Sequence, residues 1–150
     1  MKASGFRGRV SGVAAVRRKD LKFVARCLEP LMPDLQVLAH EDFCYLTTTG
    51  RVTGRPHEIE IWFSLVPKTR TLYMLSGGRD RSDWVKNLRR NPDVTVRIAG
   101  EDLRGHAREA RDVEEDELAR RLLVEKYESS HGRLANWRRT ALPVAVDLST

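Results

Sequence analysis

Residues 47–55 read Thr-Thr-Thr-Gly-Arg-Val-Thr-Gly-Arg and follow directly on the apolar run Phe43-Cys44-Tyr45-Leu46. Threonine hydroxyls donate to oxyanions, glycine lets the backbone come close to a bound molecule, and arginine pairs bidentately with phosphate or carboxylate. Together these residue types suit the anionic end of a ligand. A long polar hairpin loop would use the same residues for turn geometry alone, so this segment does not decide between the two.

A second loaded segment runs from Ser76-Gly77-Gly78 through Arg79, Arg81, Ser82 and Asp83 to Trp84, Lys86, Asn87 and Leu88. A strand that enters a Gly-Gly turn and then a helix leaves free N–H groups at the helix start, where anions bind. Trp84 and Leu88 share one helix face, and Trp84 could cover the edge of a ring system. Alone, the segment reads better as a strand-to-helix connection with a solvated charged helix, its arginines partly balanced by Asp80 and Asp83. Taken with residues 47–55 it suits a ligand with a planar aromatic head and an anionic tail. His40, His57, His106 and His131 show no metal-ligand spacing, and no Walker loop or nucleophile elbow is present. With no protein nucleophile picked out, the chemistry falls to a bound cofactor.

These segments need elements to position them. Asp20 to Met32 has helical apolar spacing that Pro30 and Pro33 end. Residues 43–48 form a strand. His57 to Val66 alternates Ile59, Ile61, Phe63 and Leu65 against Glu58, Glu60, Trp62 and Ser64, which predicts one half-buried strand. Further strands are expected at Thr71–Ser76, Val94–Ile98, Leu103–Glu109 and Pro143–Leu148, with helices at 82–90 and from Asp112 onward. The Asp112 helix should bury Leu118, Ala119, Leu122, Leu123 and Tyr127. The order α-β-β-β-α-β-β-α-β predicts a mainly β, α+β fold: a six-stranded antiparallel sheet closed into a barrel with flanking helices.

The charge of +6 is unevenly placed. Six cations, Lys2, Arg7, Arg9, Arg17, Arg18 and Lys19, precede the first acidic residue, so residues 20–150 carry 21 basic and 21 acidic groups. This predicts a flexible basic arm over 1–19, able to touch an anionic membrane surface weakly, and one neutral domain over 20–150. A neutral body argues against nucleic acid as the partner. No apolar run approaches the roughly 20 residues that span a bilayer. Cys27 and Cys44 are expected to be reduced and buried, which places the chain in the cytoplasm.

Leu46-Thr47-Thr48-Thr49-Gly50-Arg51-x-Thr53-Gly54-Arg55-Pro56, then Ser76-Gly77-Gly78, then Trp84-x-x-Asn87-Leu88-x-x-Asn91-Pro92-x-Val94 resembles the deazaflavin-dependent nitroreductase family, in unbroken order over about residues 38–148. The resemblance implies a split β-barrel of the flavin-binding superfamily, coenzyme F420 as cofactor and a homodimer. Carried over by motif, Thr48, Thr49, Gly50, Arg51 and Arg55 would hold the cofactor's phosphate and acidic tail. Ser76, Gly77 and Gly78 would lie beside its reactive ring, and Trp84, Lys86 and Asn87 would complete the wall. Tyr127 and Trp137 would belong to the substrate pocket. Val52 stands where the family's Gly-Arg-Lys-Ser/Thr-Gly has lysine, leaving one cation fewer, which suits the single phosphate of FMN as the alternative cofactor.

The implied reaction is hydride transfer from reduced cofactor to an electron-poor small molecule such as a quinone, nitro compound or activated alkene. Ser76 is the candidate proton donor. An FMN reductase of the same fold and a protein that binds the cofactor without turnover are the competing readings. Trp62, on the same face as Glu58 and Glu60, is expected near a two-fold contact, with Arg97, Arg104 and Arg108 neutralising the glutamates.

Overall fold

The computed structural model describes residues 33–149. The basic arm, the Asp20–Met32 helix, Cys27 and the boundary at residue 20 lie outside the described residues. After a short helix α1 (Leu35–Leu38), seven strands follow: β1 (Cys44–Thr49), β2 (Pro56–Ile61), β3 (Ser64–Val66), β4 (Thr71–Ser76), β5 (Asp93–Ile98), β6 (Glu101–Glu109) and β7 (Leu142–Leu148). Helix α2 (Asp83–Arg90) lies between β4 and β5; α3 (Val113–His131) and α4 (Ala135–Thr140) lie between β6 and β7. Among these helices none is long and apolar enough to cross a membrane.

All pairings are antiparallel, in the order β2-β1-β5-β6-β7-β4-β3. The first and last strands of that order are neighbours in sequence, separated only by Trp62 and Phe63. Ile61 pairs with Cys44 of β1, whereas Ser64 pairs with Tyr73 of β4. A chain cannot cover more than about 3.5 Å per residue, so the two sheet edges must meet here. The sheet is therefore rolled into a split barrel. The continuous strand predicted over His57–Val66 is in fact two, which makes seven strands rather than six. Its alternation survives the break, because Phe63 still points inward, fully buried, and plugs the seam.

The barrel interior is filled by Leu46, Phe63, Leu72, Met74, Val96 and Val146, among others. A second cluster lies outside β4 and β7, where Tyr73, Leu75 and Ala145 pack against Ala119, Leu123 and Tyr127 of α3. Every residue of β4 is consequently buried. The β5–β6 connection is a two-residue turn with both central residues at positive φ, Ala99 at 51° and Gly100 at 83°, as a tight hairpin requires.

Helix α3 begins as its acidic first turn predicts: the Asp112 side chain accepts from the Glu115 N–H at 2.8 Å. Leu118 and Leu122 are partly buried, and Val124 joins the buried face. Glu115 turns inward and binds Arg108 by two hydrogen bonds, at 2.7 and 2.9 Å, and Tyr73 Oη at 2.9 Å. Arg108 also pairs with Asp147 at 2.7 Å. This network joins α3 to β4, β6 and β7, so Arg108 is not available to the β2 glutamates. Arg97 does reach Glu58, at 3.1 Å.

Candidate functional site

The loop between β1 and β2 closes on itself. Gly50 N–H donates to the Arg55 carbonyl at 2.7 Å, and Gly54 N–H to the Gly50 carbonyl at 2.9 Å. A Cβ at Gly50 would lie 2.7 Å from His57 Nε2 and 3.0 Å from the Arg55 carbonyl oxygen, so the turn admits only glycine there. Its glycines thus shape the loop, and their amides are used within it. The groups left to face a ligand are side chains: Arg51, Arg55, Thr49 and Thr53.

Asn87 of α2 holds this loop to the barrel. It is 3 % exposed. Its Nδ2 donates to Thr48 Oγ1 at 3.2 Å, and its Oδ1 accepts from Arg51 N at 3.2 Å and Arg51 Nη1 at 2.8 Å. Arg51 Nη2 also meets Asp83 Oδ1 at 3.2 Å. The guanidinium is therefore held at a fixed place, on the edge of a cleft of about 250 Å³ formed with Gly50, Val52, Thr53, His57, Asp83 and Asn87. Arg55 and Lys86 are exposed and form no ion pair among the described residues. Val52, 87 % exposed, points into solvent. Trp84 is half-buried and packs against the barrel core.

Gly77 and Gly78 form the turn after β4, as expected, and Ser76 ends the strand with its side chain directed into that turn. Its hydroxyl is buried, 2 % exposed, 2.9 Å from the Arg79 carbonyl and 2.8 Å from Ser82 Oγ. A carbonyl can only accept, so Ser76 donates there and receives a hydrogen bond from Ser82. The proton expected to serve the substrate is committed to fixing the turn. Gly77 and Gly78 are exposed, and at Gly77 the nearest group to a Cβ would be Trp137, at 3.9 Å.

Trp137 opens a second, apolar cleft of about 440 Å³, shared with Glu60, Ile61, Trp62, Leu75 and Leu134. Trp62 and Trp137 meet edge to face, ring centroids 5.6 Å apart. Tyr127 lies behind this wall. Its ring stacks on Trp62 at 4.4 Å and its hydroxyl donates to the Asp42 carbonyl at 2.6 Å. Burial pushes its pKa up to about 12. At 2 % exposure it supports the pocket and does not line it. Trp62, expected near a two-fold contact, thus stacks on Tyr127 within its own protomer. Helix α4, which carries Trp137, has no clear sequence signal: only Leu134 and Trp137 repeat on it.

Two segments join the clefts. β2 runs from His57, beside Arg51, to Ile61, beside Trp137. Residues 77–83 run from Gly77, beside Trp137, to Asp83, beside Arg51. Four residues of strand span about 13 Å. The two clefts thus lie along one elongated stretch of surface, the first edged by Arg51 with its partner Asp83 and the second walled by indoles, with side-chain-free backbone at Gly77 and Gly78. That donor set fits a flat ring carrying a phosphate and an acidic tail.

A family model, F420H(2)-dependent quinone reductase, matches residues 34–149. The chain belongs to this family. It is accordingly an oxidoreductase whose cofactor is coenzyme F420, and the FMN and non-catalytic alternatives are set aside. Solved structures agree on the split-barrel fold. A putative 5-nitroimidazole antibiotic resistance protein from Bacteroides thetaiotaomicron is 18 % identical, with 81 % of this chain and 83 % of that one covered, at a TM-score of 0.60. An F420-H2 dependent reductase is 24 % identical over 70 % of this chain and 93 % of its own, at 0.55. A structure described as a domain-swapped dimer is 20 % identical over 89 % and 98 %, at 0.56.

Proposed function

We propose that the protein transfers a hydride from reduced F420 to a planar, electron-poor acceptor: a quinone first, with nitro compounds and activated alkenes in the same chemical class. The observation that carries this reading is the elongated site itself, an arginine-edged loop at one end and an indole-walled apolar cleft at the other. Bound and reduced, the deazaflavin supplies the hydride.

Each residue then has a task. Arg51 and Arg55 pair with the anionic tail, and Thr48, Thr49 and Gly50 set the loop that presents them. Asn87 holds Arg51 in position, and Lys86 adds charge at the helix start. Gly77 and Gly78 let a flat ring approach the backbone, while Trp84 packs against the barrel core. Trp62 and Trp137 keep water from the acceptor cleft, where dry walls strengthen every polar interaction that forms. Ser76 fixes the turn. Orientation of the two reactants is the main catalytic contribution this geometry offers.

Arg51→Ala tests the reading. A charge-assisted pair contributes about 1.5–3 kcal/mol, so F420 affinity, titrated by fluorescence, should fall on the order of tenfold or more. Unchanged affinity would remove the loop from the cofactor site.

The assembly we propose is a two-fold homodimer. The domain-swapped dimer among the structural neighbours supports pairing. A cytoplasmic location accords with the free thiol of Cys44, whose burial pushes its pKa up to about 12.

A further inference from the structure

The cleft between Trp62 and Trp137 has one ionisable group in its lining. Ile61, Trp62, Leu75, Leu134 and Trp137 are apolar or aromatic; Glu60 is not. Its carboxylate is held in place, with Oε1 accepting from Tyr45 Oη at 3.1 Å. Arg97, a cation on this face, is engaged elsewhere: it pairs with Glu58 at 3.1 Å and lies over the Tyr45 ring at 4.8 Å. Among the described residues Glu60 has no ion-pair partner. A fixed, unpaired carboxylate thus borders an otherwise apolar cleft.

We infer that Glu60 sets the charge class of the acceptor, admitting neutral or cationic planar molecules and rejecting anionic ones. This rests on the cleft being where the acceptor lies. A molecule of this size can fill the cleft only by putting part of itself within several ångströms of the Glu60 carboxylate. Like charges at that distance, beside low-dielectric walls, repel appreciably even where water screens one side. An acceptor that enters as an anion would meet that repulsion on binding and again as the hydride adds negative charge. Discrimination of about tenfold is expected. Apolar contact with the two indoles is common to all flat acceptors, so the carboxylate alone separates them by charge.

The test uses three naphthoquinones on the full chain: a neutral one, one bearing a sulfonate and one bearing a quaternary ammonium. Each is measured by kcat/KM with F420H2 and, without cofactor, by quenching of tryptophan fluorescence. The wild type should favour the neutral over the sulfonated quinone about tenfold in both readouts, a preference that weakens with added salt. Glu60→Gln keeps an acceptor for Tyr45 and should bring the ratio near one. Glu101→Gln, which removes an exposed carboxylate at the start of β6 outside the cleft, should leave the ratio as it was. A neutral-to-sulfonate ratio equal in wild type and Glu60→Gln overturns the inference. If quenching shows the shift while no quinone is reduced, the charge filter stands and the proposed acceptor class fails.

Discussion

Asn87→Ala is the sharpest probe of how the barrel and the site are coupled. The side chain is 3 % exposed and makes three hydrogen bonds: one to Thr48 and two from Arg51, of which the guanidinium bond at 2.8 Å is charge-assisted. Truncation strands the Arg51 amide and the Thr48 hydroxyl, the latter on a residue only 1 % exposed. A buried group left unsatisfied costs about 1–3 kcal/mol. The Arg51 guanidinium keeps its pair with Asp83, so a total of about 2–4 kcal/mol is expected in urea unfolding, with a Tm lowered by roughly 10 °C. Arg51 loses its fixed position as well, and reordering a free arginine on binding costs up to about 2 kcal/mol. F420 affinity should therefore drop several-fold to about tenfold. If Asn87 acts on the cofactor through Arg51, the double variant Arg51→Ala/Asn87→Ala binds no more weakly than Arg51→Ala alone. Additive losses in that cycle would refute the coupling.

Two further outcomes follow from the fold. Two hydrogen bonds from Arg108 hold the Glu115 carboxyl well below the usual carboxylate range, and Arg108 lowers Asp147 likewise. A depressed folded pKa contributes stability that is complete above the unfolded value, about 4, and disappears as pH falls further. The wild type should lose stability steeply below about pH 4. Glu115→Gln should cost about 3 kcal/mol at pH 7 and flatten that acid limb; an unaltered acid slope counts against the network. The proposed dimer is checked by sedimentation: a stable monomer that still binds F420 fully would defeat it.

The sequence foretold most strands because their hydrophobic period is two and their turns carry Gly, Pro or Asp. It failed at Trp62-Phe63 for a physical reason. Alternation records which side of a strand faces the core, and that side does not change when the chain crosses from one sheet edge to the other. Only the change of pairing partner, from Cys44 with Ile61 to Tyr73 with Ser64, marks the seam. In β4 a period of two places Leu72 and Met74 in the barrel interior. Its other face, Tyr73 and Leu75, is covered by α3, a contact between residues far apart in the chain.

The site was legible wherever residue type alone limits the conformation or the chemistry. Gly50 is demanded by His57 and the Arg55 carbonyl, and Arg51 and Asn87 do meet. What sequence could not show is direction. Ser76 has the right chemistry for a proton donor, yet the turn aims its hydroxyl at the Arg79 carbonyl. Tyr127 is placed behind Trp62 by the turn of α3 that also seats its hydroxyl on Asp42. Glu60 attracted notice only as one of two glutamates on a polar strand face. It gains its role because β2 ends at the barrel seam, where Phe63 turns into the barrel and Trp62 stays outside, stacked on Tyr127. The edge crossing that broke the predicted strand is therefore also what places a carboxylate at the rim of an aromatic cleft.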